Sequence, residues 1–266
     1  MANKEAGIIV SQKEICPGIF DLWIKAPYIT GESMPGQFVN VYLNDSSKLL
    51  PRPISICEAN REEGLLRLVY RVSGQRTGTE EMSRMKKGEQ LSLFGPHGNG
   101  FPLEEAADGR VFLIGGGIGI PPMLETARQL WNLRLFCEPV QIILGYRDQN
   151  CFLADAFRPY GNVVIATEDG SVGARGTVLD AIREKNLSAD VIFACGPRPM
   201  LSAVKNYSAE TKTECWISME ERMACGIGAC LACVCRTTGV DRHSNVHNRR
   251  VCKDGPVFRA DEILLD

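Results

Sequence analysis

Five of the chain's 11 cysteines, Cys225, Cys230, Cys233, Cys235 and Cys252, crowd into its last fifth, in a stretch that begins near Ser218, is rich in Gly and Arg and has little apolar periodicity. Such a segment cannot close around an apolar core of its own and needs an internal staple. The first residues, Met1 to Gly7, lack the apolar core of a secretory signal and run into a strand-like segment, so the expected compartment is the cytoplasm. Thiols stay reduced there, and clustered cysteines point to metal binding or redox chemistry rather than disulfides. The other six, Cys16, Cys57, Cys137, Cys151, Cys195 and Cys215, are scattered and read as small buried hydrophobes.

Spacing narrows the identity of the staple. Cys225, Cys230 and Cys233 form C-x4-C-x2-C with Cys252 as a distant fourth, the plant-type pattern for a [2Fe-2S] centre. Thiolates from one tight loop must converge on two irons, and Gly226 and Gly228 let the backbone wrap closely and aim amide N–H groups at sulfur. A four-cysteine zinc site is the alternative, although its usual signature is paired C-x2–4-C knuckles. His243 and His247 raise a Rieske ligand set, but with three cysteines already in the loop they read as solvated histidines in the basic stretch from Arg242 to Lys253. Cys235 is a surplus thiol that leaves open which cysteines bind.

Composition excludes several classes. Of 266 residues 44% are hydrophobic and 23% charged, the balance of a globular chain long enough for one large or two to three small domains. Thirty Lys+Arg against 32 Asp+Glu leave a net charge of −2, which argues against nucleic acid or an anionic membrane as partner. The longest apolar stretch, Val111 to Leu124, is broken by glycines and prolines and is too short for a membrane span.

The rhythm of the chain changes once. From residue 5 to about 105 short β-rich runs (Gly7–Val10, Ile19–Ala26, Gly36–Leu43, Ile54–Glu58, Leu65–Val72 and Glu89–Phe94) carry one helix, Thr79 to Met85, and predict a small antiparallel barrel. After Asp108-Gly109, the continuous apolar runs Val111–Ile114, Val140–Tyr146, Asn162–Thr167 and Val191–Ala194 read as strands buried on both faces. They alternate with helices at Pro122–Leu135, Leu153–Arg158, Thr177–Glu184 and Pro199–Tyr207, which predicts a doubly wound parallel sheet. The expected division is a β-barrel over residues 1–106, an α/β domain over 107–215 and a cysteine-rich domain over 216–266.

Two places suit nucleotides. Gly115-Gly116-Gly117-Ile118-Gly119 follows a strand and opens a helix, so its amides can approach a pyrophosphate, and the helix dipole favours the anion. Cys195-Gly196-Pro197 closes a later strand and sets a thiol at the carboxyl edge of the sheet, where open α/β folds bind ligands. In the barrel, Arg52-Pro53-Ile54-Ser55 offers a cation and a hydroxyl, Tyr70-Arg71 an aromatic plane and a cation, and Gly78-Thr79 the head of a short helix. Asp148, Glu168 and Asp169 would repel a 2′-phosphate and favour NAD over NADP, whereas Arg147 points the other way.

The order Arg52-Pro53-Ile54-Ser55, Gly95-Pro96-His97-Gly98, Gly115-Gly116-Gly117-Ile118-Gly119 and Cys195-Gly196-Pro197 resembles the ferredoxin–NADP reductase superfamily. The segment Met219 to Cys233, with Val251-Cys252-Lys253-Asp254-Gly255-Pro256, is similar to the electron-transfer subunits of type B dihydroorotate dehydrogenases. That resemblance implies a barrel binding FAD, an α/β domain meeting NAD(H), and a [2Fe-2S] cluster on Cys225, Cys230, Cys233 and Cys252. It places Arg52, Pro53, Ile54, Ser55, Val69, Tyr70, Arg71, Gly78 and Thr79 on FAD, with Gly74 to Thr77 as an alternative for the pyrophosphate because this turn is about two residues long for the family. Gly115, Gly116, Gly117, Gly119, Cys195, Gly196 and Pro197 fall to NAD. The implied partner is an FMN-containing dihydroorotate dehydrogenase catalytic subunit of pyrimidine biosynthesis, in a heterotetramer of two of each. A related flavin and iron–sulfur subunit of another complex, such as an NADH-dependent ferredoxin:NADP oxidoreductase, is the alternative. Nicotinamide gives two electrons as a hydride and a cluster takes one, so a flavin must stand between them, and no residue needs to act as acid, base or nucleophile.

Overall fold

Alternating apolar residues between positions 3 and 97 build six antiparallel strands: β1 (Asn3–Cys16), β2 (Ile19–Lys25), β3 (Phe38–Tyr42), β4 (Arg52–Asn60), β5 (Leu65–Arg71) and β6 (Gln90–His97). In the computed structural model, which describes residues 2–45, 47–106, 109–133, 138–241 and 245–265, they close into a barrel of order β1-β2-β5-β4-β3-β6. Val39, Val41, Ile56, Leu66, Leu68 and Leu93 fill its interior. Leu135, Cys137, Asp108, Arg242 and His243 lie outside the described residues.

The barrel carries two helices where the sequence named one. α1 (Pro27–Glu32) begins on a proline and contains Gly31, so its local signal is weak. Its start is capped from far away, by the Glu5 carboxylate accepting from the N–H groups of Tyr28 (3.1 Å) and Ile29 (2.9 Å). α2 (Gly78–Arg84) is capped locally, since Thr77 Oγ1 accepts from Glu80 N.

The second sheet has the order β10-β9-β8-β7-β11-β12-β15, from β7 (Val111–Gly116), β8 (Gln141–Tyr146), β9 (Asn162–Thr167), β10 (Ala174–Arg175), β11 (Val191–Cys195), β12 (Glu214–Ser218) and β15 (Val257–Arg259). All pairs are parallel except β12 with β15. α3 (Ile120–Leu133) covers the face that abuts the barrel, burying Met123, Leu124 and Ala127 with the barrel's Cys57 and Val69. α5 (Val178–Glu184) and α6 (Arg198–Thr211) cover the other face. α4 (Ala154–Phe157) is a single turn continued by a 3₁₀ turn, shorter than the helix read from Leu153 to Arg158.

Five strands were not foreseen, β10 and four near the C-terminus, and of these β12 and β15 tie the cysteine-rich segment down. β12 spans the expected boundary at residues 215 and 216, and β15 borders it from within the cysteine-rich segment. With only three residues in β15, no alternation could be read. A two-stranded ribbon, β13 (Val234–Arg236) and β14 (Asn248–Arg250), completes the segment. Cys233, Cys235, Val251 and Cys252 share a core with Phe38 of the barrel and Ile217 of the sheet, so the segment rests on both units.

Candidate functional site

The strand order of the α/β sheet reverses between β7 and β11, which opens a crevice at their carboxyl ends. Gly115 pairs with Cys195 across the ladder, so the two expected nucleotide turns face each other. Most of the glycines are demanded by that packing. A β-carbon on Gly116 would overlap the Met200 thioether, and one on Gly119 would sit 2.5 Å from Cys195 O. Gly115 is pressed on Ile120 in the same way, at 3.0 Å. Gly117 differs: its φ is +52°, and Arg71 Nη2 at 3.7 Å is the sole heavy atom a β-carbon would approach within 4 Å. Its surroundings are open toward a ligand, and Arg71 brings the barrel to the same spot. Gly196 and Pro197 complete the turn at the head of α6.

Cys195 stands between Gly115 and Ser218 at the end of the sheet. Burial pushes its thiol up to about 12, only partly countered by the Ser218 hydroxyl, so it stays protonated at neutral pH. A neutral thiol can pack against a nicotinamide ring without acting as nucleophile.

On the barrel, the β4–β5 ladder runs from Asn60↔Leu65 to Ile56↔Leu68 and stops. Residues 52–55 pair with β3 only, and 69–71 with β2 only. The two strands therefore part at this end, leaving a cleft edged by backbone groups from Arg52–Ser55 and Val69–Arg71. Arg52 and Gly78 close its end: a β-carbon on Gly78 would overlap the Arg52 guanidinium, which also donates to Leu50 O. Thr79 Oγ1 accepts from Ser73 N at 3.0 Å and lies 3.2 Å from Thr77 Oγ1. Gly78 and Thr79, as the first residues of α2, have N–H groups with no partner inside the helix. Together with Arg52 they fit a phosphate. In the preceding turn, Thr77 Oγ1 is engaged with Gly74 O at 2.7 Å, which favours Gly78-Thr79 over Gly74–Thr77.

Tyr70 departs from expectation. Its ring is buried inside the barrel, stacked on Phe20 with centroids 5.8 Å apart, and its hydroxyl donates to Gln12 Oε1 at 2.9 Å. Strand alternation sends Val69 and Arg71 the other way, so Tyr70 offers the cleft no aromatic plane.

The cysteine loop arranges its four thiols in two pairs. Cys225 accepts from the N–H groups of Ile227 and Cys230, both at 3.4 Å, and bonds with the Cys230 thiol. Cys252 accepts from Gly228 N at 3.1 Å, and Cys233 from Cys252 N at 3.4 Å. The Cys252 S–H lowers the pKa of Cys233, and Cys252, keeping the shared proton, is raised. Burial pulls Cys225 up, but the amide donors outweigh it and lower it. Two thiolates for each iron, surrounded by amide donors, are what a two-iron centre needs. Cys235 turns elsewhere: burial pushes it up to about 11 and its thiol donates to Arg249 O at 3.5 Å. His247 faces Thr238 O at 3.2 Å, away from the thiols.

Sequence reading missed Asn40, Glu125 and Arg128. Glu125 and Arg128 of α3 bond Ala59 N and Ala59 O of β4 and so clamp the α/β sheet to the barrel. No motif could have flagged them, because their partner is a backbone group more than sixty positions away.

Comparison with known proteins agrees with this geometry. Residues 220–264 match the iron–sulfur cluster binding domain of dihydroorotate dehydrogenase B, and residues 113–206 match the oxidoreductase NAD-binding domain. The chain is 39% identical to the dihydroorotate dehydrogenase B (NAD(+)) electron transfer subunit of Geobacillus thermodenitrificans and 40% identical to that of Streptococcus mutans, over all of each chain. Among solved structures it is similar to an NADH-dependent reduced ferredoxin-NADP oxidoreductase studied for flavin-based electron bifurcation, with TM-score 0.85 and 30% identity over 98% of this chain and 90% of that one. A ferredoxin NADP+ reductase from Neisseria gonorrhoeae shares the fold, with TM-score 0.67 and 15% identity over 78% of this chain and 91% of the other.

Proposed function

The chain belongs to the family of dihydroorotate dehydrogenase B electron transfer subunits, and from that premise we propose how its residues divide the work. It is the NAD-dependent oxidoreductase subunit that passes electrons between a catalytic dihydroorotate dehydrogenase chain and NAD by way of FAD and a [2Fe-2S] cluster. The observation that carries the reading is the central place of the barrel: Arg71 reaches Gly117 in the nucleotide turn, and Asn40 on another strand abuts Gly226 in the cysteine loop. When bound, FAD would supply the conversion between the two-electron hydride chemistry of nicotinamide and the one-electron chemistry of a cluster.

Residues 1–106 form the FAD unit, 107–215 the NAD unit and 216–266 the cluster unit. Arg52 and the amides of Gly78 and Thr79 hold the FAD pyrophosphate, and Pro53 to Ser55 with Val69 and Arg71 line the flavin cleft. Gly117 and its neighbours receive the nicotinamide nucleotide, with Cys195 as a neutral packing surface. Asp148, Glu168 and Asp169, at the ends of β8 and β9, select NAD by repelling a 2′-phosphate. Cys225, Cys230, Cys233 and Cys252 bind the cluster. Cys230 is exposed, with Ile227 and Leu231 about half exposed beside it (53% and 51%). An apolar rim around a redox centre suits docking of the FMN-containing catalytic subunit, two of each chain to a complex. No described helix is long and apolar enough to cross a membrane, and the proposed compartment is the cytoplasm.

Replacing Cys230 by Ser in the assembled complex tests this. The visible absorbance and acid-labile sulfide of the cluster should fall and reduction of the catalytic partner should stop, while NADH oxidation by a dye that takes electrons from FAD continues. Persistent reduction of the partner would break the linear order NAD, FAD, cluster.

A further inference from the structure

Asn40 is the middle residue of β3 and is fully buried. Its neighbours Val39 and Val41 point into the barrel, whereas Phe38 joins the core that contains Cys233 and Cys252. By alternation Asn40 shares the face of Phe38, toward the cysteine segment. Directly across the ladder lies Pro53, in the proposed flavin segment. A β-carbon on Gly226, the residue after Cys225, would overlap Asn40 Nδ2, and the three atoms nearest to it all belong to Asn40. One residue thus meets both cofactor-binding segments, Pro53 through the strand ladder and Gly226 through its side chain.

Its polar ends are unequal. Nδ2 lies 3.4 Å from His97 Nε2. Burial holds His97 neutral, and because an amide nitrogen can only donate, Asn40 Nδ2 donates and Nε2 accepts. Asn40 Oδ1 is then, among the described residues, the buried side-chain N or O atom left without a hydrogen-bond partner. An orphaned amide oxygen is costly, and an apolar residue of the same size would remove the cost.

We propose that Asn40 is the positioning residue of the junction between flavin and cluster, seating Gly226 and with it Cys225 at a fixed distance from the flavin strand. This rests on the assignment of FAD and the cluster given above. No bond forms and no proton moves at Asn40, whose part is to hold the two segments in place.

The test uses the purified complex of both subunits. Loss of the oxidised flavin band on mixing with NADH reports hydride transfer, and rapid-freeze electron paramagnetic resonance reports arrival of the electron on the cluster. Asn40→Ala should leave hydride transfer within twofold, slow cluster reduction at least tenfold and shift the cluster's g-values. Gly226→Ala should slow cluster reduction at least as much, by steric overlap with Asn40. Removing that overlap, Asn40→Ala/Gly226→Ala should be faster than Gly226→Ala, and the left-handed φ of +70° at Gly226, which strains any alanine there, should keep it slower than Asn40→Ala. Wild-type rates and g-values in Asn40→Ala overturn the proposal, as does a double variant no faster than Gly226→Ala. If Asn40→Ala fails to load iron, Asn40→Ser carries the same expectations. A wild-type complex with no iron or no flavin would instead overturn the functional reading itself.

Discussion

Substituting Glu125 by Ala probes what holds the two nucleotide-binding units in register. Glu125 is 1% exposed. Its Oε2 accepts from Ala59 N (3.2 Å) and Arg128 Nε (3.0 Å), and its Oε1 from Arg128 Nη2 (2.8 Å) and Gln129 Nε2 (2.9 Å). Arg128 Nη2 also donates to Ala59 O at 2.8 Å, so two side chains of α3 take the place of a neighbouring strand along β4, where β3 no longer pairs. Removing the carboxylate strands Ala59 N–H and leaves Arg128, at 22% exposure, without its counter-charge. Breaking one side of a buried pair costs about 3–5 kcal/mol, and the partial solvation of Arg128 puts the loss near the lower end, about 3 kcal/mol. With a urea slope of about 3 kcal/mol/M the unfolding midpoint should fall by about 1 M. Hydride transfer from NADH should slow as well, because a misplacement of about 1 Å can cost about a hundredfold. Glu125→Gln keeps an acceptor for Ala59 N and should lose about 1 kcal/mol. Urea titration followed by flavin fluorescence, with stopped-flow NADH oxidation, measures both effects. A midpoint shift below about 0.2 M with an unchanged hydride rate would refute the clamp, since about 3 kcal/mol over that slope requires a fivefold larger shift.

Gly119→Ala should wedge the two nucleotide turns apart, because its β-carbon meets the rigid Cys195 carbonyl at 2.5 Å; the KM for NADH should rise at least tenfold while FAD content is kept, and an unchanged KM would contradict this. His97 is held down to about 4 by burial, below the value of about 6.5 expected on unfolding, so the unfolded chain binds the proton first. Stability should therefore be full above about pH 6.5 and fall by up to about 1.4 kcal/mol per unit as pH drops toward about 4. With three histidines in the chain, nuclear magnetic resonance can follow this ring, and a midpoint near 6.5 would be the wrong result. Cys195, buried and pushed up to about 12, should resist iodoacetamide at pH 8, whereas exposed Cys230 in iron-free protein should alkylate at least a hundredfold faster, as peptide mapping would show.

The sequence by itself determined what local chemistry determines. Thiols spaced C-x4-C-x2-C with two glycines lie within nine residues, so a candidate cluster loop was readable before any fold was known, while Cys235 and the remote Cys252 left the ligand set open. Glycine turns after apolar strands, and the change from alternating to continuous apolar runs, announced both sheets, because periodicity acts through adjacent residues. The tertiary structure decided what distant partners decide. Tyr70 points into the barrel rather than at the cleft because its strand's register with β2 fixes which residues face inward. α1 exists through the remote Glu5 carboxylate, and β15 through its pairing with β12. Cys235 is set apart from the other thiols by its bond to Arg249 O across the β13–β14 ribbon. Asn40 and Glu125 carry no motif at all: each draws its role from a contact more than sixty positions along the chain, where burial makes a hydrogen-bond group costly to leave unpaired.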